Sequence, residues 1–151
     1  MSDAAGPAVA ATGLESSTDL VKNLLLGAHA TAASLAAIGT NRELTVDEWL
    51  ILDALGNADG LSMSTLSRRT LASGASLTRA VDKLVTASLV YRAPSATDRR
   101  KVEVRISELG RERHAEMSDE VRALDSTLRS LMGADADIVA DVLGRIGVNL
   151  G

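Results

Sequence analysis

The chain has 151 residues, a formal net charge of -4, 46% hydrophobic residues, 1% aromatic residues and no cysteine. That is one domain's worth, long enough to bury roughly 70% of its unfolded surface, and without thiols there are no disulfides, thiolate zinc sites or cysteine redox sensors. The acidic average hides an asymmetry: from Leu61 to Arg105, nine basic residues (Arg68, Arg69, Arg79, Lys83, Arg92, Arg99, Arg100, Lys101, Arg105) face three acids (Asp82, Asp98, Glu103), a balance of +6 that leaves -10 for the rest. One basic segment on an acidic body suits a protein that meets a polyanion with a single surface.

Residues 1–17, rich in Ala, Gly, Ser and Thr, read as a disordered lead-in. They have no basic n-region, and Lys22, Asn23 and His29 interrupt the longest apolar stretch, so neither a signal peptide nor a transmembrane helix is expected and the location implied is the cytoplasm. From Asp19 to Ile38 the pattern is helical but apolar on nearly every side, through Leu20, Val21, Leu24, Leu25, Leu26, Leu35 and Ile38. A helix hydrophobic all round must be buried all round, and in so small a protein one route is to pack against a second subunit.

The middle of the chain is well punctuated. Thr45-Val46-Asp47-Glu48 fits a capping box, and the helix that follows carries Trp49, Leu52 and Leu55 and ends near Gly56-Asn57. Ser62 caps a short helix to Arg69, and after a turn at 70–72 Ser73 caps a third helix that runs to about Ala87. On that helix Leu77, Val81 and Leu84 share one face, and Ser76, Arg79, Ala80 and Lys83 share the opposite one. Small hydrogen-bonding residues followed by Arg and Lys suit a helix laid in the major groove.

Beyond Ala87 the periodicity changes from 3.6 to 2. Lys101 to Ile106 alternates, with Val102, Val104 and Ile106 inward, and pairs with a strand over 89–93 that Pro94 ends. The loop between them, 95–100, carries Asp98-Arg99-Arg100 at its tip. Two guanidiniums on a turn suit a narrow, phosphate-lined groove. Asp98 reads as the clamp of Arg92, Arg99 or Arg100 through a bidentate pair, or as a plain turn former. The fold expected is mainly α with a small β-hairpin: a winged helix-turn-helix over 44–106, a dimerisation helix over 18–43 and C-terminal dimerisation helices over 107–151. The last of these show apolar residues at helical spacing from Val121 to Ile146.

From Leu44 to Gly110 the residues resemble the MarR (multiple antibiotic resistance regulator) family of bacterial transcription factors. The resemblance rests on Leu44-Thr45 with Trp49, Leu52 and Leu55, on Leu77 to Leu84, on Leu89-Val90-Tyr91-Arg92, on Asp98-Arg99-Arg100 and on Ile106 to Gly110, in that order. It implies a homodimer on double-stranded DNA, reading a pseudo-palindrome with half-sites about one helical turn apart. Such proteins mostly repress, and many are released by a small-molecule effector bound between the dimer and DNA-binding lobes. The DNA contacts implied are Ser73, Ser76, Leu77, Thr78, Arg79 and Lys83 on the recognition helix, and Thr97, Asp98, Arg99 and Arg100 on the wing.

This sequence departs from the family pattern in three places. Thr70 and Leu71 replace the usual core aliphatic and Gly of the turn, Gly74 and Ala75 open the recognition helix in place of longer polar residues, and Glu48 stands where Gln is frequent. Base readout is therefore expected mainly from Ser76, Thr78 and Arg79. With so few aromatic residues, His29 and Trp49 are the candidates for lining an effector pocket, although Trp49 reads foremost as a core residue. Two histidines and no cysteine make metal sensing an unfavoured reading, and no cofactor is implied. No nucleophile-base pair, HExxH, P-loop or GxGxxG marks an enzyme. The alternative function is a winged-helix protein-interaction module without specific DNA binding.

Overall fold

The computed structural model describes residues 19–150, so the 1–17 lead-in lies outside the described residues. The elements are α1 (Asp19–Thr40), α2 (Val46–Gly56), α3 (Met63–Arg69), α4 (Gly74–Thr86), β1 (Val90–Pro94), β2 (Val102–Ile106), α5 (Glu108–Ala115), α6 (Ser118–Met132), a short 3-10 turn at Gly133–Asp135 and α7 (Ala136–Leu150). The two strands form an antiparallel hairpin in which Val90 faces Ile106 and Pro94 faces Val102. Leu61 adds a one-residue bridge to Val104, which ties the α2–α3 connection to the hairpin. This is a mainly helical winged helix-turn-helix with helices at both ends.

Local chemistry explains the starts of the helices. The Thr45 hydroxyl accepts the Glu48 amide at 3.2 Å, and the Glu48 carboxylate accepts the Thr45 amide at 3.1 Å, completing the capping box. Ser62 caps α3 by accepting the Thr65 amide at 3.2 Å. In the turn after α3, the Thr70 hydroxyl donates to the Leu66 carbonyl at 2.8 Å, and Ala72 occupies the buried position while Leu71 stands 73% exposed. The turn thus dispenses with a core aliphatic at Thr70 because Ala72 supplies the apolar contact. The core joins Ile51, Leu52 and Leu55 of α2 to Leu66, to Leu77, Val81 and Leu84 of α4, and to Val90, Val104 and Ile106 of the hairpin.

Three details differ from the sequence-based expectation. Pro94 is inside β1, which is tolerated because a two-stranded hairpin leaves each strand an unpaired edge. Val102 is 57% exposed rather than inward, since the end of the hairpin near the tip projects past the core that covers Val104 and Ile106. The C-terminal helix breaks at Glu116–Met117, where the Met117 side chain turns into the core.

The outer helices are the opposite of the core. Only Gly39 is buried in α1, and none of the residues of α6 is. An apolar groove of about 670 Å³ runs between them and α7, lined by residues such as Leu24, Leu128, Leu131, Val139 and Leu143. By length and composition alone α1 is also apolar enough to cross a membrane, a property that the expectation of no such segment passed over.

Candidate nucleic-acid interface

The recognition helix, α4, turns Leu77, Val81 and Leu84 inward against α2 and α3. Leu77 is only 2% exposed, so its side chain is a core residue and is withdrawn as a DNA contact. Gly74 opens the helix at φ +53°, in the left-handed region where a side chain is strained, which accounts for glycine where a longer polar reader is usual. At the same end, Ser76 Oγ accepts the Ser73 amide at 3.2 Å and donates to the Ser73 carbonyl at 2.8 Å. Ser73 and Ser76 thus face each other across the first turn as a capping box, with Ser76 making its two closest hydrogen bonds. Thr78 donates to the Gly74 carbonyl at 3.2 Å, which leaves its oxygen lone pairs outward. Arg79 follows, exposed and without a partner among the described residues.

The wing is an ordered loop rather than a loose tip. Ser95 donates its amide to the Lys101 carbonyl at 2.8 Å, and Lys101 returns an amide to the Asp98 carbonyl at 2.9 Å. Ser95 is buried, and its hydroxyl accepts the Thr97 amide at 3.3 Å and bonds the Thr97 hydroxyl at 3.1 Å. Asp98 Oδ1 accepts the Arg100 amide at 3.1 Å and lies 3.5 Å from Arg100 Nε. That is the turn-forming role with one long ionic contact, not a bidentate clamp. Arg92 pairs with Asp82 of α4 at 2.7 Å, so it is not held by Asp98. The Arg92–Asp82 bridge joins wing to recognition helix, a link that sequence spacing alone does not announce.

The pairing of the arginines is uneven. Arg42, Arg92, Arg100, Arg105, Arg113, Arg122, Arg129 and Arg145 all have acidic partners, and Arg111 donates to the Gly56 carbonyl. Arg68, Arg69, Arg79 and Arg99 have no hydrogen bond or ion pair among the described residues, and all four lie in α3, α4 or the wing tip. Arg68 and Arg69, at the end of α3, were not among the site residues expected from sequence. Lys83, which was, is engaged: its ammonium lies 2.9 and 3.2 Å from the two carboxylate oxygens of Glu48.

An open groove of about 470 Å³ lies between α1, the N-terminus of α2 and the helix-turn-helix turn, lined by Ala32, Ala36, Thr40, Thr45, Val46 and Leu71 among others. His29 and Trp49 do not line it. His29 is exposed on α1, and Trp49 stacks on His114 with ring centroids 5.6 Å apart and planes at 18°. His114 Nε2 is 3.0 Å from Asp53 Oδ1, so this cluster fastens α2 to α5. Among the described residues, no group of three or more His, Cys, Asp or Glu is placed to hold a metal ion.

Helix-turn-helix, wing and terminal helices together define the winged-helix DNA-binding fold. A profile of the MarR family matches residues 42–101, and that segment belongs to the MarR family. The fold is shared beyond it. A MarR family transcriptional regulator from Silicibacter pomeroyi superposes with a TM-score of 0.78 at 24% identity, over 85% of this chain and 87% of that one. BpsR of Bordetella bronchiseptica, whose DNA binding is regulated by 6-hydroxynicotinic acid, gives 0.73 at 20% identity, over 91% and 99%. CouR from Rhodococcus jostii RHA1, bound to p-coumaroyl-CoA, gives 0.77 at 19% identity, over 87% and 93%. No curated protein matches the chain significantly in sequence.

Proposed function

We propose that the protein is a cytoplasmic, homodimeric repressor that binds a pseudo-palindromic operator and leaves it when a small molecule occupies the groove between α1 and α2. The observation that carries the DNA-binding part is the distribution of unpaired guanidiniums. Where every other arginine has an acidic partner or, for Arg111, a backbone carbonyl, the four without partners among the described residues sit in the two helix-turn-helix helices and the wing tip. Arg79, with Ser76 and Thr78 beside it, reads base edges in the major groove, and Arg99 and Arg100, set by the Thr97–Asp98 turn, enter the adjacent minor groove. The apolar surfaces of α1, α6 and α7 are covered by the same helices of a second copy, which also accounts for the membrane-like composition of α1. The effector idea draws on BpsR and CouR, each connected with a small organic ligand. Here the walls of the groove are aliphatic side chains, hydroxyls and Asp47, so they suit a small, weakly polar molecule.

The test is fluorescence anisotropy on a duplex that the wild-type protein selects from a random library. Wild type should bind with an affinity that falls steeply with salt, and Arg99→Ala with Arg100→Ala should abolish binding while the dimer persists. Undiminished specific binding in that double variant would overturn the wing assignment.

A further inference from the structure

Lys83 and Glu48 form a pair whose geometry conflicts with a phosphate-gripping role for the lysine. The Glu48 side chain is 5% exposed, one oxygen also accepts the Thr45 amide, and the Lys83 ammonium reaches both oxygens from α4. If Lys83 swung out to a phosphate, a carboxylate with almost no water around it would lose this counter-charge, which is strongly unfavourable. Lys83 lies one turn beyond Arg79 on the same helix, and its neighbour Asp82 is bound to Arg92 of the wing. Consecutive residues of α4 are thereby tied to two different elements, which fixes the rotation of the helix about its own axis.

We propose that Lys83 is a positioning residue: with Glu48 it sets the angle at which α4 presents Thr78 and Arg79, and it neutralises no phosphate. This rests on the DNA-binding reading above. The test uses Lys83→Gln, Glu48→Gln, the double variant and Lys83→Arg, with affinity for the selected duplex measured across a salt series. Each single Gln variant should weaken binding by about tenfold, and the double variant should be no worse than either, as for residues that act as a unit. The slope of log affinity against log salt should stay at the wild-type value, and Lys83→Arg should retain affinity.

If Lys83 did contact DNA, Lys83→Gln would lower that slope by about 0.9 for each phosphate lost, and Glu48→Gln would strengthen binding by freeing the lysine. Either result overturns the proposal. Urea unfolding of the four proteins gives a reading independent of DNA. A coupling energy near zero between the two sites sinks the pair as a lock, whereas a wild-type protein that selects no duplex sinks the DNA-binding reading instead. If Glu48→Gln does not fold, the salt slope of Lys83→Gln and the recovery in Lys83→Arg still decide.

Discussion

Arg79 and Arg99 are both exposed arginines without internal partners, yet their surroundings predict different losses. Arg79 projects from a helix whose first turn is closed by hydrogen bonds from Ser76 and Thr78, so the base contact proposed for it would be directional. Arg79→Ala should cost about 1–3 kcal/mol of binding and relax the preference at one base position in each half-site. Arg99 sits on a turn, and a minor-groove arginine reads width rather than base identity, so Arg99→Ala should weaken binding to all duplexes while flattening the preference for A·T-rich flanks. Competition with base-substituted duplexes separates the two, and equal loss on every duplex for Arg79→Ala would remove it from base readout. The exposure of both was legible in the sequence, because helical period turns Arg79 outward and the loop between two alternating strands puts Arg99 at the tip, without knowledge of any partner. The ion pairs of Lys83 and Arg92 were not legible, for the converse reason. Their partners, Glu48 and Asp82, lie 35 and 10 residues away, and only the packing of α4 on α2 and on β1 brings them within reach. The stacking of Trp49 on His114 was hidden on the same account, since α5 delivers that ring from 65 residues away in sequence, while His29, the other candidate for a pocket wall, stays exposed on α1.

At the level of elements, the joint between wing and C-terminal helices shows how tightly the winged-helix lobe is fastened. Ser107 caps α5 by accepting the Gly110 amide at 2.9 Å and donates to the Leu89 carbonyl at 3.0 Å. A Cβ on Gly110 would lie 2.1 Å from the Leu89 carbonyl oxygen and 2.8 Å from Ile106 Cγ1. That contact is with backbone, which cannot rotate away. Gly110→Ala should therefore cost about 1–3 kcal/mol of stability by overpacking, read as a lower urea midpoint at unchanged slope, and an unmoved midpoint would show that the joint has slack. A milder loss is expected at the other end of the lobe. Thr45→Ala removes the cap of α2 and should cost about 1 kcal/mol, and since Thr45 holds the same box as Glu48 it should lower DNA affinity as well, by anisotropy. Caps, helix periods and the hairpin were all written locally. The break at Glu116–Met117 was not, because neither Pro nor Gly marks it, and the helix bends there where Met117 is drawn into the core.

For the molecule as a whole, the question is what covers the terminal helices. Leu131 is 80% exposed on the rim of the groove between α1, α6 and α7, and Leu20, Leu25, Leu26, Ile138 and Val148 are exposed on the helices around it. Scattered exposed apolar residues are ordinary, but an apolar groove walled by three helices, with Leu24, Leu128, Leu131, Val139 and Leu143 along it, is the mark of an interaction surface. The occupant proposed above is a second copy of the chain, because it would also serve the proposed DNA binding. Two recognition helices held at a fixed spacing bind two half-sites with an affinity that neither reaches alone, because the second contact is made at high effective concentration. Leu131→Glu places a charge in that interface at a site where the lone protomer leaves the side chain in water, so it should split the dimer without unfolding the lobe. Sedimentation velocity should show the wild type at twice the chain mass and the variant at the chain mass. Binding should weaken by about 100-fold or more on a two-half-site duplex and change little on an isolated half-site. A variant that stays dimeric would move the interface elsewhere, and a wild-type protein that is a folded monomer at micromolar concentration would leave the apolar faces of α1, α6 and α7 to a different partner.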